Sequence, residues 1–337
     1  MSELRQDLVS GDWIILATER AERPHELLPK KKVRKPTPIS KCPFEDIKKS
    51  GNWPPVAVFP AFAKASAGEP NEKKWRIAII PNKYPALRHG NICATSFKTG
   101  PYERLSGIGR HELAVTRDHK KNIAHLSEKE AVKLFRILQE RYRELKKDKC
   151  LVYTSTFFNW GESAGASLYH PHLQMITLPI IPPHISHSLS GSHDYFKKHR
   201  RCVHCEMLDF EKKDRKRIIA ENSAALAVAP FVSRDPFQIK IFPKVHQPYF
   251  EKTAPAAMKG VVSVLRTVLK KIEKNLGDPD LNFFIHTSPL KNQLRHRHYH
   301  WHIEILPKIS TEAGFELGTG VEINVIDSDI AAEIVKR

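Results

Sequence analysis

The sequence predicts an α+β fold made of two tandem units, each a mostly antiparallel sheet with one packed helix. Two observations support this: one order of elements occurs twice along the 337 residues, and each copy contains a long amphipathic helix. A chain of this length can form about two domains, each with its own core. We assign the units to residues 1–185 and 196–337 and expect the Pro/His/Ser-rich segment 180–195 to be a loop joining them.

Each unit contains a cysteine, two strands ending near a histidine, a helix, a strand, a His-x-His pair and a final strand. His119 precedes His170, and His246 precedes His300, by nearly the same number of residues. The strand-like runs are Trp75–Ile80, Glu112–Thr116, Leu151–Phe157 and the segment after His172 in the first unit, and Ala224–Val228, Phe237–Phe242, Leu281–Ile285 and Ile303–Leu306 in the second. The shared order predicts that the units have the same topology.

End signals and apolar periodicity mark the two helices. A Ser-x-x-Glu capping box at Ser127 predicts a helix over 128–147. In the second unit Thr253 can cap, Pro255 suits the first turn and Gly277 suits the end. The apolar positions recurring every three to four residues are Val132, Phe135, Leu138, Tyr142 and Leu145, and Val261, Val264, Leu265, Val268, Leu269 and Ile272. One face of each helix must therefore pack on a sheet.

The composition is that of a globular, basic protein. Hydrophobic residues make up 41% and charged residues 27%, which excludes a disordered chain. The net charge of +18 suits polyanions, either nucleic acid or phosphorylated small molecules. Much of it lies in the blocks Lys30–Lys35, Lys146–Lys149 and Lys197–Arg201, which are typical of solvated loops and helix ends. Without a helix-turn-helix or RNA-recognition signature, nucleic acid is not expected as a partner.

The start of the chain lacks the apolar stretch of a signal peptide, and no run approaches the length of a membrane span. We therefore expect a cytoplasmic protein without membrane association. The cysteines are Cys42, Cys93, Cys150, Cys202 and Cys205. In a large chain without secretory features, this odd set favours metal ligands or free thiols over a disulfide framework.

The second unit contains the clearest metal-ligand pattern. Cys202 and Cys205 form a CxxC pair that can chelate zinc, and a tetrahedral site needs two more nitrogen or sulfur ligands. The repeat offers His246 and His300. The alternative for such a pair is two packed thiols or a redox couple.

The first unit offers a related set: Cys42, Glu45, His119 and His170. Zinc accepts carboxylate oxygen, so Glu45 can take the place of the missing thiol without changing the net ligand charge. A carboxylate, however, lacks the affinity for zinc that a second, softer thiolate ligand would provide. Both an occupied and an empty first site therefore remain open.

The run His170-Pro171-His172 precedes an apolar strand. An imidazole is largely neutral near pH 7, so it can attack phosphorus without a separate base, and a fixed neighbour can orient it. The pair is therefore a candidate nucleophile with its holder. The alternative is that both rings only pack or face solvent.

With Gln174 the run reads His-Pro-His-x-Gln, which resembles the active-site motif of the galactose-1-phosphate uridylyltransferase branch of the histidine-triad superfamily. The resemblance implies two histidine-triad-like units. It also implies that His172 becomes nucleotidylated and that Gln174 hydrogen-bonds the phosphoryl group. In that family the metal sites are structural, so zinc on His170 would fix the strand that presents His172.

The resemblance extends along nearly the whole chain. The N-terminal run containing Arg20 and Arg23 resembles the family's opening, whose arginines approach the nucleotide phosphates. The runs Asn82–Pro85 and Gly109–Glu112 also follow the family pattern. The residues implied to contact base, ribose or phosphate include Asn82, Asn159, Gly165 and Ser167.

Three features depart from the uridylyltransferases. Leu173 stands where they usually have glycine, and Glu45 where they have cysteine. The segments Gly314–Gly320 and Glu322–Asn324 look closer to members that include plant ADP-glucose phosphorylase.

The leading hypothesis is a ping-pong nucleotidyltransferase that acts on an NDP-sugar and a sugar 1-phosphate. The first choice of reaction is uridylyl transfer between UDP-glucose and galactose 1-phosphate. The alternative is phosphorolysis of ADP-glucose.

Two hypotheses of other kinds stay open. One is a basic, zinc-containing nucleic-acid-binding protein with a decayed active site, which the charge favours and the intact motif opposes. The other is a dinucleotide hydrolase, because water can resolve the same intermediate. The base, the sugar and the oligomeric state, a homodimer among the options, are not given by the sequence.

Overall fold

The computed structural model describes residues 2–21, 34, 36–52, 54–59, 75–90 and 92–337. The strands are β1 (Glu3–Gln6), β2 (Trp13–Leu16), β3 (Ala57–Phe59), β4 (Ile77–Pro81), β5 (Ser96–Thr99), β6 (Tyr102–Leu105), β7 (Arg110–Thr116), β8 (Tyr153–Trp160), β9 (His172–Leu178), β10 (Ile218–Glu221), β11 (Ala225–Val228), β12 (Ile239–Pro243), β13 (Leu281–His286), β14 (His302–Pro307) and β15 (Ile323–Asn324). The helices are α1 (Glu128–Lys147), α2 (Pro183–His199), α3 (Val203–Asp214), α4 (Pro255–Asn275), α5 (Gly314–Thr319) and α6 (Ser328–Lys336).

Ten strands form one continuous antiparallel sheet in the order β10-β11-β12-β14-β13-β8-β9-β7-β4-β3. The two halves meet where β13 pairs with β8, from Leu281 opposite Trp160 to Ile285 opposite Thr156. Moving outward from this junction, β8, β9, β7 and β4 match β13, β14, β12 and β11 in order and direction. The α+β prediction with two similar units is confirmed. The predicted boundaries stay a prediction, because the shared sheet contains no break between the halves.

Helices α1 and α4 pack on one face of this sheet and against each other. The predicted apolar stripes are buried, among them Phe135 and Leu138 of α1 and Val261 and Leu265 of α4, except that Val132 is half-buried at the edge of the core. Gln139 is buried in the seam and donates from Nε2 to the carbonyl oxygens of Phe250 and Thr253. The opposite face carries a smaller apolar cluster, which includes Phe44, Trp75 and Leu113, together with polar side chains of the strands.

Two helix details differ from the sequence prediction. Thr253 does not cap α4: the N-cap is Ala254, without a side-chain cap bond, and Pro255 begins the helix. The segment expected to be a loop forms most of α2. Pro183 fits the first helical position, where no backbone donor is needed, and Ile185 and Leu189 are buried one turn apart.

The cysteine prediction is wrong at one pair. Cys93 and Cys150 form a disulfide that ties the segment before β5 to the segment before β8. Cys42, Cys202 and Cys205 are free thiols, as expected. Within the described residues, no helix is both long and apolar enough to cross a membrane.

Candidate active site and metal centres

His172 begins β9, which lies between β7 and β8 in the sheet. Val115 of β7 lies opposite His172, while Leu113 of β7 and Phe157 of β8 lie opposite Gln174. Because side chains alternate along a strand, His172 and Gln174 project from the same face, away from the helix-covered core. The spacing of the motif thus places the predicted nucleophile and the predicted phosphoryl ligand side by side.

The backbone fixes the tautomer of His172. Nδ1 lies 2.9 Å from the carbonyl oxygen of His170, and a carbonyl can only accept, so Nδ1 carries the proton. The lone pair is then on Nε2. Burial lowers the pKa of His172, against the opposing effect of this hydrogen bond. The side chain is therefore a neutral imidazole with its nucleophilic nitrogen defined.

A cavity of about 630 Å³ opens beside this imidazole. Four residues predicted to act in catalysis or substrate binding line it, Asn82, Ser167, His172 and Gln174, as does the predicted metal ligand Cys42. The wall opposite β9 comes from residues 40–52 and 82–84, and its charged side chains are Lys41, Asp46, Lys49 and Lys83. No motif or periodicity in the sequence indicated these lysines. They make the cavity net cationic, which suits an anionic ligand.

Asn159 and Gly165 do not line this cavity. They lie together at the junction of the two halves, where Asn159 accepts from Nδ2 of Asn282 at 2.9 Å. Gly165 has φ +81°, which ends the short turn after β8 and explains a glycine there. Arg20 is exposed in a 3₁₀ turn after β2 and also lies outside the cavity lining. Arg23 falls outside the described residues.

The predicted ligands of the first unit come together. Cys42, Glu45, His119 and His170 each direct one ligand atom into a cluster in which all atoms lie within 4.8 Å of one another. Nδ1 of His170 is 3.4 Å from the Cys42 sulfur and 3.3 Å from Nδ1 of His119. Glu45 completes the group, although its other carboxylate oxygen pairs with Arg117 at 3.2 Å.

Backbone carbonyls orient both histidines of this group. His170 donates from Nε2 to the carbonyl oxygen of Thr116, and His119 donates from Nε2 to that of Thr37, each at 2.8 Å. Each Nδ1 lone pair therefore points into the cluster, the arrangement that metal-ligating histidines adopt. Burial lowers the pKa of His170 to about 4, so it is neutral and able to ligate near pH 7.

The second group brings Cys202, Cys205, His246 and His300 within the same 4.8 Å limit. The Cys205 sulfur is 3.3 Å from Nδ1 of His246 and 3.6 Å from Nδ1 of His300. His246 donates from Nε2 to the carbonyl oxygen of Arg297. Two thiols and two imidazoles form a set that zinc accepts in tetrahedral geometry. Both groups fit such an ion.

A third group was not predicted: His286, His302 and Glu304 on β13 and β14. His302 occupies the place in β14 that His172 has in β9, and its Nδ1 lies 3.1 Å from the His300 carbonyl oxygen. The second His-x-His pair was the available signal. Here, however, His286 contacts Glu304 at 2.7 Å and His302 is only 3% exposed. The two halves thus share a backbone arrangement, but the ring of His302 is packed against those of His204, Phe242 and His286, with ring centroids 4.7–5.1 Å away.

Residues 107–337 match the family described as "Domain of unknown function (DUF4921)". The chain is 33% identical to the ADP-glucose phosphorylase of Arabidopsis thaliana over 99% of its own length and 92% of that protein. It is 26% identical to a galactose-1-phosphate uridylyltransferase of Thermotoga maritima, over 100% of this chain and 98% of the relative.

Solved structures agree with these sequence relatives. An Arabidopsis thaliana ADP-glucose phosphorylase with bound ADP-glucose superposes with a TM-score of 0.82 at 29% identity, covering 100% of this chain and 99% of the other. A uridylyltransferase structure has a TM-score of 0.72 at 23% identity, covering 100% and 98%. The second likeness concerns the fold alone, whereas the first accompanies substantial identity over the full chain.

Proposed function

Because the chain belongs to the galactose-1-phosphate uridylyltransferase-like family of nucleotidyltransferases, we propose that it transfers a nucleoside monophosphate from an NDP-sugar to a phosphate-bearing acceptor through a covalent adduct on His172. The observation that carries this proposal is the fixed tautomer of a buried imidazole beside a cationic cavity. Such a ring is neutral, oriented and next to the space that a phosphoryl group needs.

In the first step the Nε2 lone pair attacks the α-phosphorus. The new P–N bond forms as the P–O bond to the sugar 1-phosphate breaks, and the sugar 1-phosphate leaves. In the second step an oxygen of the acceptor phosphate attacks the same phosphorus and breaks the P–N bond. The proton stays on Nδ1 throughout and is donated to the carbonyl oxygen of His170, so that carbonyl stabilises the positive ring of the intermediate.

The remaining work is positioning and charge neutralisation. Lys41 and Lys83 line the cavity and supply positive charge for the phosphates. Asn82, Ser167 and Gln174 offer neutral donors in the same cavity. The roles of Arg20, Arg23, Asn159 and Gly165 in nucleotide binding stay predictions.

For the substrate we propose ADP-glucose, with inorganic phosphate as acceptor. The support is the 33% identity to an ADP-glucose phosphorylase, against 26% to a uridylyltransferase, over comparable lengths. The segments Gly314–Gly320 and Glu322–Asn324, which look closer to members that include plant ADP-glucose phosphorylase, also support this choice. The alternative remains uridylyl transfer between UDP-glucose and galactose 1-phosphate, which sequence analysis placed first.

We further propose that the first two ligand groups hold zinc structurally. The donor sets and the carbonyl-held tautomers support this. Zinc would supply cross-links between distant segments of the chain. In the first unit Cys42 and His170 would hold the 42–45 turn against the start of β9, and thereby the carbonyl that orients His172.

A substrate panel tests the function. The purified protein is given ADP-glucose, UDP-glucose or GDP-glucose with phosphate, galactose 1-phosphate or water, and the products are separated by anion exchange. We expect ADP and glucose 1-phosphate from ADP-glucose and phosphate at the highest kcat/KM. Preferred formation of UDP-galactose would establish the uridylyltransferase instead. Turnover only with water would indicate a hydrolase, and no turnover together with salt-sensitive nucleic-acid binding would contradict the enzyme proposal.

A further inference from the structure

We infer that His111 is a positioning residue that fixes which end of the Gln174 amide faces the reacting phosphoryl group. The inference rests on the proposed function, because it assigns a role to Gln174 in that reaction. His111 was not among the predicted site residues, although it lies within the Gly109–Glu112 run that follows the family pattern.

The sheet brings the two side chains together. His111 on β7 lies opposite Ile176 of β9, and Leu113 lies opposite Gln174. His111 and Gln174 are therefore diagonal neighbours on one face of adjacent strands, within reach of long side chains. Nε2 of His111 is 3.0 Å from Oε1 of Gln174.

The tautomer of His111 is set from its other side. The backbone N–H of Ala86 donates to Nδ1 of His111 at 3.1 Å, so Nδ1 must be the unprotonated nitrogen. The neutral ring then carries its proton on Nε2, which donates to Gln174. A backbone donor more than 80 residues away in sequence from Gln174 thus determines the hydrogen bond that Gln174 receives.

A backbone N–H group also orients the side chain of Asn82. Its Oδ1 accepts from the backbone N–H of Tyr84 at 3.0 Å, which places Nδ2 beside the His111 ring, 3.4 Å from Nδ1 and 3.1 Å from Nε2. The backbone N–H of Ala86 can only donate, so Nδ1 is the accepting nitrogen, and Nδ2 of Asn82 lies 3.4 Å from that same acceptor. Nε2 then carries the proton and does not accept from Asn82. The 82–86 segment therefore orients His111 and Asn82 together.

The orientation of the Gln174 amide determines whether its N–H groups or its oxygen faces the negatively charged phosphoryl group. With Oε1 engaged by His111, the Gln174 amide presents its N–H groups to the cavity, and these donors suit anionic phosphoryl oxygens. A flipped amide would turn its oxygen toward those anions and its N–H groups toward the His111 proton. The terminal torsion of glutamine is broad and roughly two-fold, so without His111 both orientations are accessible.

Steady-state kinetics with ADP-glucose and phosphate test this inference. His111→Phe keeps the ring volume and removes the donor. We expect kcat to fall about three- to tenfold, the range of one hydrogen bond, with a smaller change in KM for ADP-glucose. His111→Gln, which can still donate to Gln174, should recover part of the loss. Ala86→Pro removes the backbone donor to Nδ1 while it keeps the His111 ring, and it should lower kcat by a smaller factor.

A double-mutant cycle separates positioning from general damage. In the Gln174→Ala background, His111→Phe should have little further effect, because its partner is gone. His125→Phe is the matched control: His125 is an exposed histidine paired with Glu273 at 2.6 Å, and its replacement should leave kcat unchanged. Melting temperatures identify variants that fail to fold.

The outcomes are distinguishable from failure of the proposed function. If wild-type protein forms no nucleotidyl adduct, the proposed function fails and this inference fails with it. If the adduct forms and His111→Phe and Ala86→Pro keep wild-type kcat, only the positioning role is wrong. Equal losses for His111→Phe in the wild-type and Gln174→Ala backgrounds would likewise contradict it, because the effect would not pass through Gln174.

Discussion

At the scale of single residues, the chemistry depends on backbone carbonyls that choose one tautomer for each histidine. His170 and His172 are two positions apart, yet the first has its free lone pair on Nδ1 and the second on Nε2. The motif therefore separates the ring that we propose as a metal ligand from the ring that we propose as the nucleophile, without any difference in residue type. The sequence predicted these two different roles for His170 and His172 only through its resemblance to the uridylyltransferase motif.

The cavity was partly predictable. Asn82, Ser167 and Gln174 were placed at the site from their motifs, and they line it with His172. Lys41 and Lys83 were missed because Lys41 ends a three-residue 3₁₀ turn and Lys83 lies in a bend, and such short segments have no sequence periodicity that predicts position. Arg20 was expected at the phosphates and lies on an exposed turn outside the lining.

Removal of the His172 ring provides a residue-scale prediction. His172→Ala should abolish turnover of every NDP-sugar, because no other group supplies the Nε2 lone pair. His172→Gly leaves more room, so added imidazole should restore measurable turnover in a concentration-dependent manner. The measurement is the initial rate with and without imidazole, with wild-type protein plus imidazole as the control. Full activity of His172→Ala would contradict the mechanism.

At the scale of elements, helices with a broad apolar stripe were predicted and those without one were missed. Helix α1 begins and ends as the capping box and periodicity predicted. Helix α2 was taken for a loop because histidine, serine and proline dominate it and its buried residues are few: Ile185, Leu189 and Ser192. Tertiary contacts, which periodicity does not report, stabilise it.

Gly191 provides an element-scale prediction. It lies in α2, where a Cβ would collide with the backbone carbonyl oxygen of Val9. Alanine favours a helix over glycine by about 1 kcal/mol, but overpacking against backbone costs about 1–3 kcal/mol. We expect Gly191→Ala to lower the free energy of unfolding measured in urea. Ser190→Ala, at the exposed neighbouring position, is the control and should not destabilise the protein; a stabilised Gly191→Ala would show that α2 does not pack on this turn.

At the scale of the whole molecule, the repeat was visible in the sequence but the joining of the units was not. The alternation of apolar and polar residues predicts which face of a strand is buried. It does not predict which strand of one unit pairs with which strand of the other. The pairing of β8 with β13 and the Cys93–Cys150 disulfide both depend on tertiary proximity. The number of cysteines and the absence of secretory features predicted free thiols or metal ligands, but they do not show which cysteines lie close together in the fold.

Metal removal provides a whole-molecule prediction. Elemental analysis of freshly purified protein should find one to two zinc ions per chain. Cys202→Ser with Cys205→Ser should remove one ion and lower the melting temperature, because a structural zinc contributes its binding free energy to folding. Cys93→Ser with Cys150→Ser removes two cysteines outside the ligand groups and should leave zinc content unchanged. Wild-type protein without bound transition metal would refute both zinc proposals.

The most direct test of the central claim is intact-mass spectrometry of the protein after incubation with ADP-glucose in phosphate-free buffer, followed by peptide mapping under conditions that preserve the P–N bond. We predict a mass increase of one nucleoside monophosphate per chain, located on His172 and discharged by added phosphate. UDP-glucose in a parallel sample identifies a uridylyl enzyme by its different mass. Turnover without any adduct, or an adduct on a residue other than His172, would contradict the account.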